Sequence, residues 1–344
     1  GSNNTVIGNS SDASSATVSN EITLGNSSVD KFRIPGINFI IKDSTATEDY
    51  VLTVDANGEA GWEAAGGGGG ATDINGLSDA LTNSNSSTIG LGSQALVSDD
   101  GSANNNIALG ASSLTNTTSG SYNTAIGNGS GTSNSTGEHN TFLGAYSGQL
   151  GTLTGGFNTA IGSTSLRKIQ GAATDNIGCG YWSGYSLTTG ARNIILGREA
   201  MYTATTASSN VAIGKNAGRS ATTATNNVMI GFMAGYGTTV EDSSVFIGFQ
   251  AGRGTGGTTS YGYNVAIGKE SLYSHNGVYG NVAIGTSAGK QVTTGNSNTA
   301  IGYLAGSAVT TGQNNSCLGL QAGDNLTTGS NNIILGNGSD ASSV

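Results

Sequence analysis

One five-residue phrase recurs along this chain at a nearly constant interval. Asn298-Thr299-Ala300-Ile301-Gly302 returns, with Thr or Val in second place, at 123–127, 158–162, 210–214, 264–268 and 281–285. Its closing glycine serves as a ruler. The marks fall at Gly92, Gly110, Gly127, Gly144, Gly162, Gly180, Gly197, Gly214, Gly231, Gly248, Gly268, Gly285, Gly302, Gly319 and Gly336. Of the fourteen intervals, ten are 17 residues, three are 18 and one is 20. A period this steady, with one strand phrase per unit, implies stacked structural repeats. Seventeen residues are too few for a pair of helices. They suit one coil of a β-solenoid, short strands joined by turns, and predict an all-β parallel solenoid of about fifteen coils.

Composition enters where it limits that reading. A length of 344 residues allows two or three domains, but a solenoid grows simply by adding coils. The 58 glycines against a single proline exclude collagen and proline-rich linkers. Charged residues are only 10%, whereas disordered chains are usually charge-rich and poor in aliphatics. The regular rows of Ile, Leu and Val therefore read as ordered. The net charge is −9, and the 12 basic residues stand singly in the sequence. With no basic stripe in the linear sequence, no nucleic-acid partner is expected. No apolar run approaches the length of a membrane span, so no membrane span is expected either.

Taken in order, the chain divides into four parts. Residues 1–25 carry two strand phrases 17 apart, closing at Gly8 and Gly25, and read as a short N-terminal β-roll segment. Residues 26–65 read as a small β-module, with strands at 37–41 and 50–54, an Asn57-Gly58 hairpin turn and Trp62. Residues 66–82 join a five-glycine linker to a short helical neck, in which Asp73 precedes Ile74, Leu77 and Leu81 at helical spacing. From residue 83 to 344 everything reads as β-roll shaft.

Positions within a coil are counted from the marker glycine as zero. Position −1 is Ile, Leu or Cys throughout, and −3 is mostly Ile, Val or Thr. Strand side chains alternate, so these two rows share a face, which is expected to form the core of the coil. Position −2 is also apolar, and mostly small, in every coil. A strand apolar on both faces is buried on both, so the −2 row, with Ala283, Ala300 and Cys317, is expected to pack against other copies of the chain. Cys317 should then face an interchain axis and Cys179, at −1, the inside of its own coil. Position −4 is Asn in thirteen of the fifteen coils, Thr88 and Ser244 being the exceptions. Stacking should turn these amides into a ladder. Glycines at +4 and −7 mark the remaining bends.

These residues resemble a known family. The phrase Asn-x-Ala-Ile-Gly followed by a small residue is similar to the head repeats of trimeric autotransporter adhesins. The longer coil, with a Thr-Thr-Gly turn such as Thr310-Thr311-Gly312, resembles repeats in phage tail-fibre proteins, as do residues 50–62 and 76–81. The resemblance implies a left-handed parallel β-roll assembled as a homotrimeric fibre. It implies a structural protein, the rigid shaft of a phage tail fibre or similar extracellular appendage with a contribution to host attachment. A bacterial surface adhesin or self-assembling extracellular filament subunit is the alternative. The expected location is the virion or the cell surface. Residues 331–343 closely match 3–15, which suggests either a sequence continuing in tandem or head-to-tail self-association of fibres.

Little else in the sequence points to chemistry. His139 and His275 have no Cys or carboxylate at metal-ligand spacing and read as turn residues. No nucleophile elbow or phosphate loop stands in its required context, so no catalytic activity, cofactor or metal is expected. The recurring Thr pairs read as turn formers rather than as a flat array, because adjacent residues of an extended segment point to opposite sides. Aromatic residues cluster outside the core positions. Tyr261 and Tyr263, on the 20-residue coil, are candidates for surface recognition of a cell-surface glycan or protein receptor, against the plainer reading that they cover the surface.

Overall fold

The computed structural model describes residues 2–7, 19, 22–24, 50–54, 60–64, 80–82, 88–101, 104–255 and 262–340. Every regular element among them is a β-strand. The chain falls into two units, residues 1–69 and 70–344. In the first, β1 (Thr5–Ile7) pairs in parallel with β2 (Ile22–Leu24), matching the two phrases 17 residues apart. Strands β3 (Tyr50–Val54) and β4 (Ala60–Ala64) form an antiparallel hairpin that sets Leu52 opposite Trp62. The Asn57-Gly58 turn and the expected strand at 37–41 lie outside the described residues.

The second unit is one 16-stranded sheet. Fifteen three-residue strands, from β6 (Ile89–Leu91) to β20 (Ile333–Leu335), stack in parallel, each ending just before a marker glycine. This is a β-solenoid with about 17 residues per coil. Fourteen inter-strand steps at a spacing of about 4.8 Å make the stack about 67 Å long. The register is strict. Ala283 of β17 (Val282–Ile284) pairs with Ala300 of β18 (Thr299–Ile301), and Ala300 with Cys317 of β19 (Ser316–Leu318). Every position of the coil therefore forms a column along the stack. The expected helical neck is not found where it can be checked. Leu81 lies in a strand, β5 (Ala80–Thr82), which pairs antiparallel with β6. One or two helical turns have little intrinsic stability, whereas the first coil offers a ready hydrogen-bonding edge. Ile74 and Leu77 lie outside the described residues.

Two columns explain why the phrase is so constant. The marker glycines hold φ between +117° and +138°, and they stack directly on one another. A Cβ built on Gly268 would lie 2.6 Å from the carbonyl oxygen of Gly285, a backbone atom that cannot step aside. The second column is the asparagine ladder. Asn123 donates from its backbone N–H (2.9 Å) and its side-chain amide (3.1 Å) to Oδ1 of Asn106, and also to the carbonyl of Gly137. The same pattern runs through Asn298, Asn315 and Asn332. Each buried amide thus satisfies backbone groups at a corner where the turn exposes them.

The strand faces are the reverse of the sequence expectation. The −2 row points into the coil, and the −1 and −3 rows point out. Ala283 is 2% exposed, Ala300 5% and Cys317 1% within a single chain, so none of the three can be an interchain packing residue. Cys179, at −1, is instead half-buried on the outer face. The physical reason is width. A 17-residue coil is too narrow to hold two bulky rows, so the single central side chain of each three-residue strand turns inward. There it meets positions +4 and +7 of the opposite wall. Core volume is shared among the three: Phe142 and Phe246 sit with glycines at +4, whereas Ala108, Ala160 and Ala266 sit with Leu114, Leu166 and Leu272. Where both −2 and +4 are small, as at Ala283/Gly289 and Ala300/Gly306, the core keeps a cavity of about 10 Å³.

Candidate functional site

The outward rows make an extended feature of the solenoid surface. Ile126, Leu143, Ile161, Ile267, Ile301 and Leu318 at −1, with Ile107, Ile177, Ile194 and Ile333 at −3, leave a third or more of each side chain in water. They lie on the strands of one sheet and so form a continuous apolar face along the stack. Large exposed residues at +1 flank it, among them Tyr181, Phe249, Tyr303 and Leu320. At −5, where the backbone is left-handed, Tyr122, His139 and Phe157 stack in three successive coils with centroids 4.8 and 5.0 Å apart. His139 is thus an exposed turn residue, as expected from sequence.

Of the two tyrosines singled out on the long coil, Tyr263 occupies the same −5 column and is 72% exposed. Among the described residues no ring stacks on it, since Ser243 and Gly280 hold the −5 position in the coils on either side. Tyr261 lies outside the described residues. The Thr pairs act as turn residues: the hydroxyl of Thr188 donates to the carbonyl of Thr205 at 2.9 Å, and Thr205 repeats this to Thr222 at 3.0 Å.

The basic residues, scattered along the sequence, come together in space. Position +5 carries Arg167, Tyr185, Tyr202, Arg219, Tyr236, Arg253, Tyr273 and Lys290 in eight successive coils. All are half-buried. Each ring is covered on both sides. Tyr202 stacks on Tyr185 (5.2 Å) and lies under the guanidinium of Arg219 (5.1 Å). Tyr236 lies between Arg219 (5.8 Å) and Arg253 (5.6 Å), and Tyr273 between Arg253 (5.2 Å) and Lys290 (5.8 Å). Arg167 and Lys168 both approach Tyr185. Two carboxylates at +2 neutralise part of the column: Glu199 pairs with Arg219 at 3.3 Å and Glu270 with Lys290 at 2.6 Å. The Lys290 ammonium, aided by Lys269, holds the Glu270 carboxyl below the usual carboxylate range. Arg167 and Arg253 have no acidic partner among the described residues. A basic stripe therefore exists, contrary to the sequence expectation. A period of 17 to 20 residues hides in the linear sequence what the columns bring into contact.

His275 is not a turn residue. It sits at +7 in the core, against the ring of Phe246 (5.7 Å), with Nε2 3.1 Å from the carbonyl of Gly252. Its Nδ1 faces Oε2 of buried Glu241 at 3.9 Å. Glu241 stands beside the one interior break in the asparagine ladder, Ser244, and its Oε1 accepts from the amide of Asn264 at 2.6 Å. Loss of solvent pushes the Glu241 carboxyl up, with Asp242 adding to the rise, against His275 and the hydrogen bonds of Asn264 and Ser244. The pair is enclosed, which makes it structural. No cluster of three or more His, Cys, Asp or Glu suited to a metal is found among the described residues.

No family model, curated protein or solved structure matches the chain.

Proposed function

We propose that this chain is the protomer of a rigid trimeric shaft in a phage tail fibre or similar extracellular appendage. Its work is mechanical: to hold something at a distance from a surface. The reading rests first on the outward apolar face. The exposed fractions of the eleven Ile and Leu residues at −1 and −3 that are at least one-third exposed add up to about five whole side chains. At 1.5–3 kcal/mol per buried side chain, covering them contributes roughly 7–15 kcal/mol per chain. A patch of this extent is seldom left in water by a soluble monomer. A closed cyclic assembly of identical chains covers it on every copy. Three copies, rather than two, follow from the resemblance of the repeat phrase to trimeric fibre heads. Location on a virion or a cell surface, and a part in host attachment, belong to the same reading.

Sedimentation of the purified chain at low micromolar concentration tests it. A mass of three chains, with rods of at least about 67 Å in electron micrographs, is the expected result. A folded monomer that stays monomeric on concentration would overturn it.

A further inference from the structure

We infer that the cation–tyrosine column at +5 is a binding track for an acidic polysaccharide. Nine of the twelve basic residues of the chain fall between Arg167 and Lys290. Eight of those nine occupy positions +1, +5 or +6, which adjoin along the stack. Only Glu199 and Glu270 oppose them from +2. In a chain of net charge −9 this strip carries an excess of six positive charges over eight coils. Arg253 adds a buried Nε with no hydrogen-bond partner among the described residues.

The geometry selects among polyanions. Single-stranded nucleic acid is usually held by stacking its bases on open aromatic faces. Here both faces of Tyr185, Tyr202, Tyr236 and Tyr273 are already covered by the coils above and below. What the column can still offer is ring edges, phenol hydroxyls and guanidinium N–H groups, a row of donors and positive charge. That row suits carboxylate or sulfate groups with sugar hydroxyls between them, and planar guanidinium groups take such anions in paired hydrogen bonds. Arg219 and Arg253 lie two coils apart, about 10 Å along the stack at 4.8 Å per coil. This is close to the length of an extended disaccharide, so a polymer with one anion per disaccharide meets a cation at each repeat. The track deepens the proposed surface role but does not depend on the number of chains.

The test uses the full chain in low-salt buffer with heparin, hyaluronan, neutral dextran and an oligothymidylate as probes. Heparin and hyaluronan should bind, dextran should not, and affinity should fall steadily with added salt as counterions compete. The double variant Arg167→Gln/Arg253→Gln should lose at least about tenfold in heparin affinity, and Arg167→Lys/Arg253→Lys much less. Failure of both acidic polymers to bind overturns the inference, as does full affinity in a folded double variant. Tighter binding of the oligothymidylate would reassign the track to nucleic acid. If the double variant does not fold, the tyrosine emission of the wild-type chain titrated with heparin reads the column directly, and no change overturns the inference. Sedimentation of the same samples tells loss of assembly from loss of binding.

Discussion

Ala300 and Ile301 are neighbours in one three-residue strand, and lysine at each should fail in a different way. Ala300 is enclosed in the coil beside a cavity of only about 10 Å³. Four methylenes and an ammonium cannot fit there, and an unpaired buried charge costs several kcal/mol. Solenoid stability is approximately a sum over coils and their interfaces, so Ala300→Lys should unravel the coils around β18 whether or not other chains are present. Ile301 is 38% exposed on the outward face. That fraction of a 1.5–3 kcal/mol side chain is about 0.6–1.1 kcal/mol per chain, or roughly 2–3 kcal/mol for three chains. Burying three lysines near one axis adds mutual repulsion. Ile301→Lys should therefore keep the coil folded and block assembly. Far-ultraviolet circular dichroism with sedimentation separates the two outcomes. If Ile301→Lys still assembles while Ala300→Lys gives a folded monomer, the assignment of faces argued above is wrong.

Further outcomes follow from the columns and the core. Cys317 is enclosed and burial, with Asp340 adding, pushes its thiol up; it should resist a maleimide until the chain unfolds, whereas Cys179 should react in any unassembled chain and become protected on assembly. Gly268→Ala forces a Cβ against the backbone of Gly285 at φ +128°, and should cost about 3–5 kcal/mol by calorimetry or denaturant melts. Gly306→Ala, at φ +55° with nothing nearer than 3.4 Å to the new Cβ, should cost only about 1–2 kcal/mol. Because burial raises the Glu241 carboxyl, the folded chain holds that proton more tightly than the unfolded one. Its contribution to stability is therefore lost as pH rises from the ordinary carboxylate range through the raised value. Glu241→Gln should melt higher than the wild type at neutral pH, and the gap should close on acidification; a constant gap would show that the carboxyl is not the cause.

The period was fully legible because it is written in residues that the stack constrains tightly. The marker glycine, fixed by a backbone contact one coil away, holds in all fifteen coils, and the −4 asparagine, fixed by its ladder, gives way only at Thr88 and Ser244. The faces of the strand were not legible, and the reason is physical. Bulk usually marks the inside, and the −1 and −3 rows are the bulkier ones. Inside a 17-residue coil the rule inverts: the interior holds one inward side chain per strand, its volume traded against +4 and +7, so small residues are the buried ones. That trade is visible in the sequence once sought, since Phe142 and Phe246 at −2 are each followed by glycine at +4, and Ala108, Ala160 and Ala266 by leucine. The cation–tyrosine column was hidden for a different cause. Its members are separated by 17 to 20 residues and each looks isolated, because charge patterning is normally read over a few positions along the chain. In a solenoid the neighbours that matter are one period away, so charges and rings must be read down the columns of the repeat. Read that way, Arg219, Arg253 and Lys290 are alternate members of one stack rather than three surface residues, and His275 and Glu241 are core positions that face each other across the long coil.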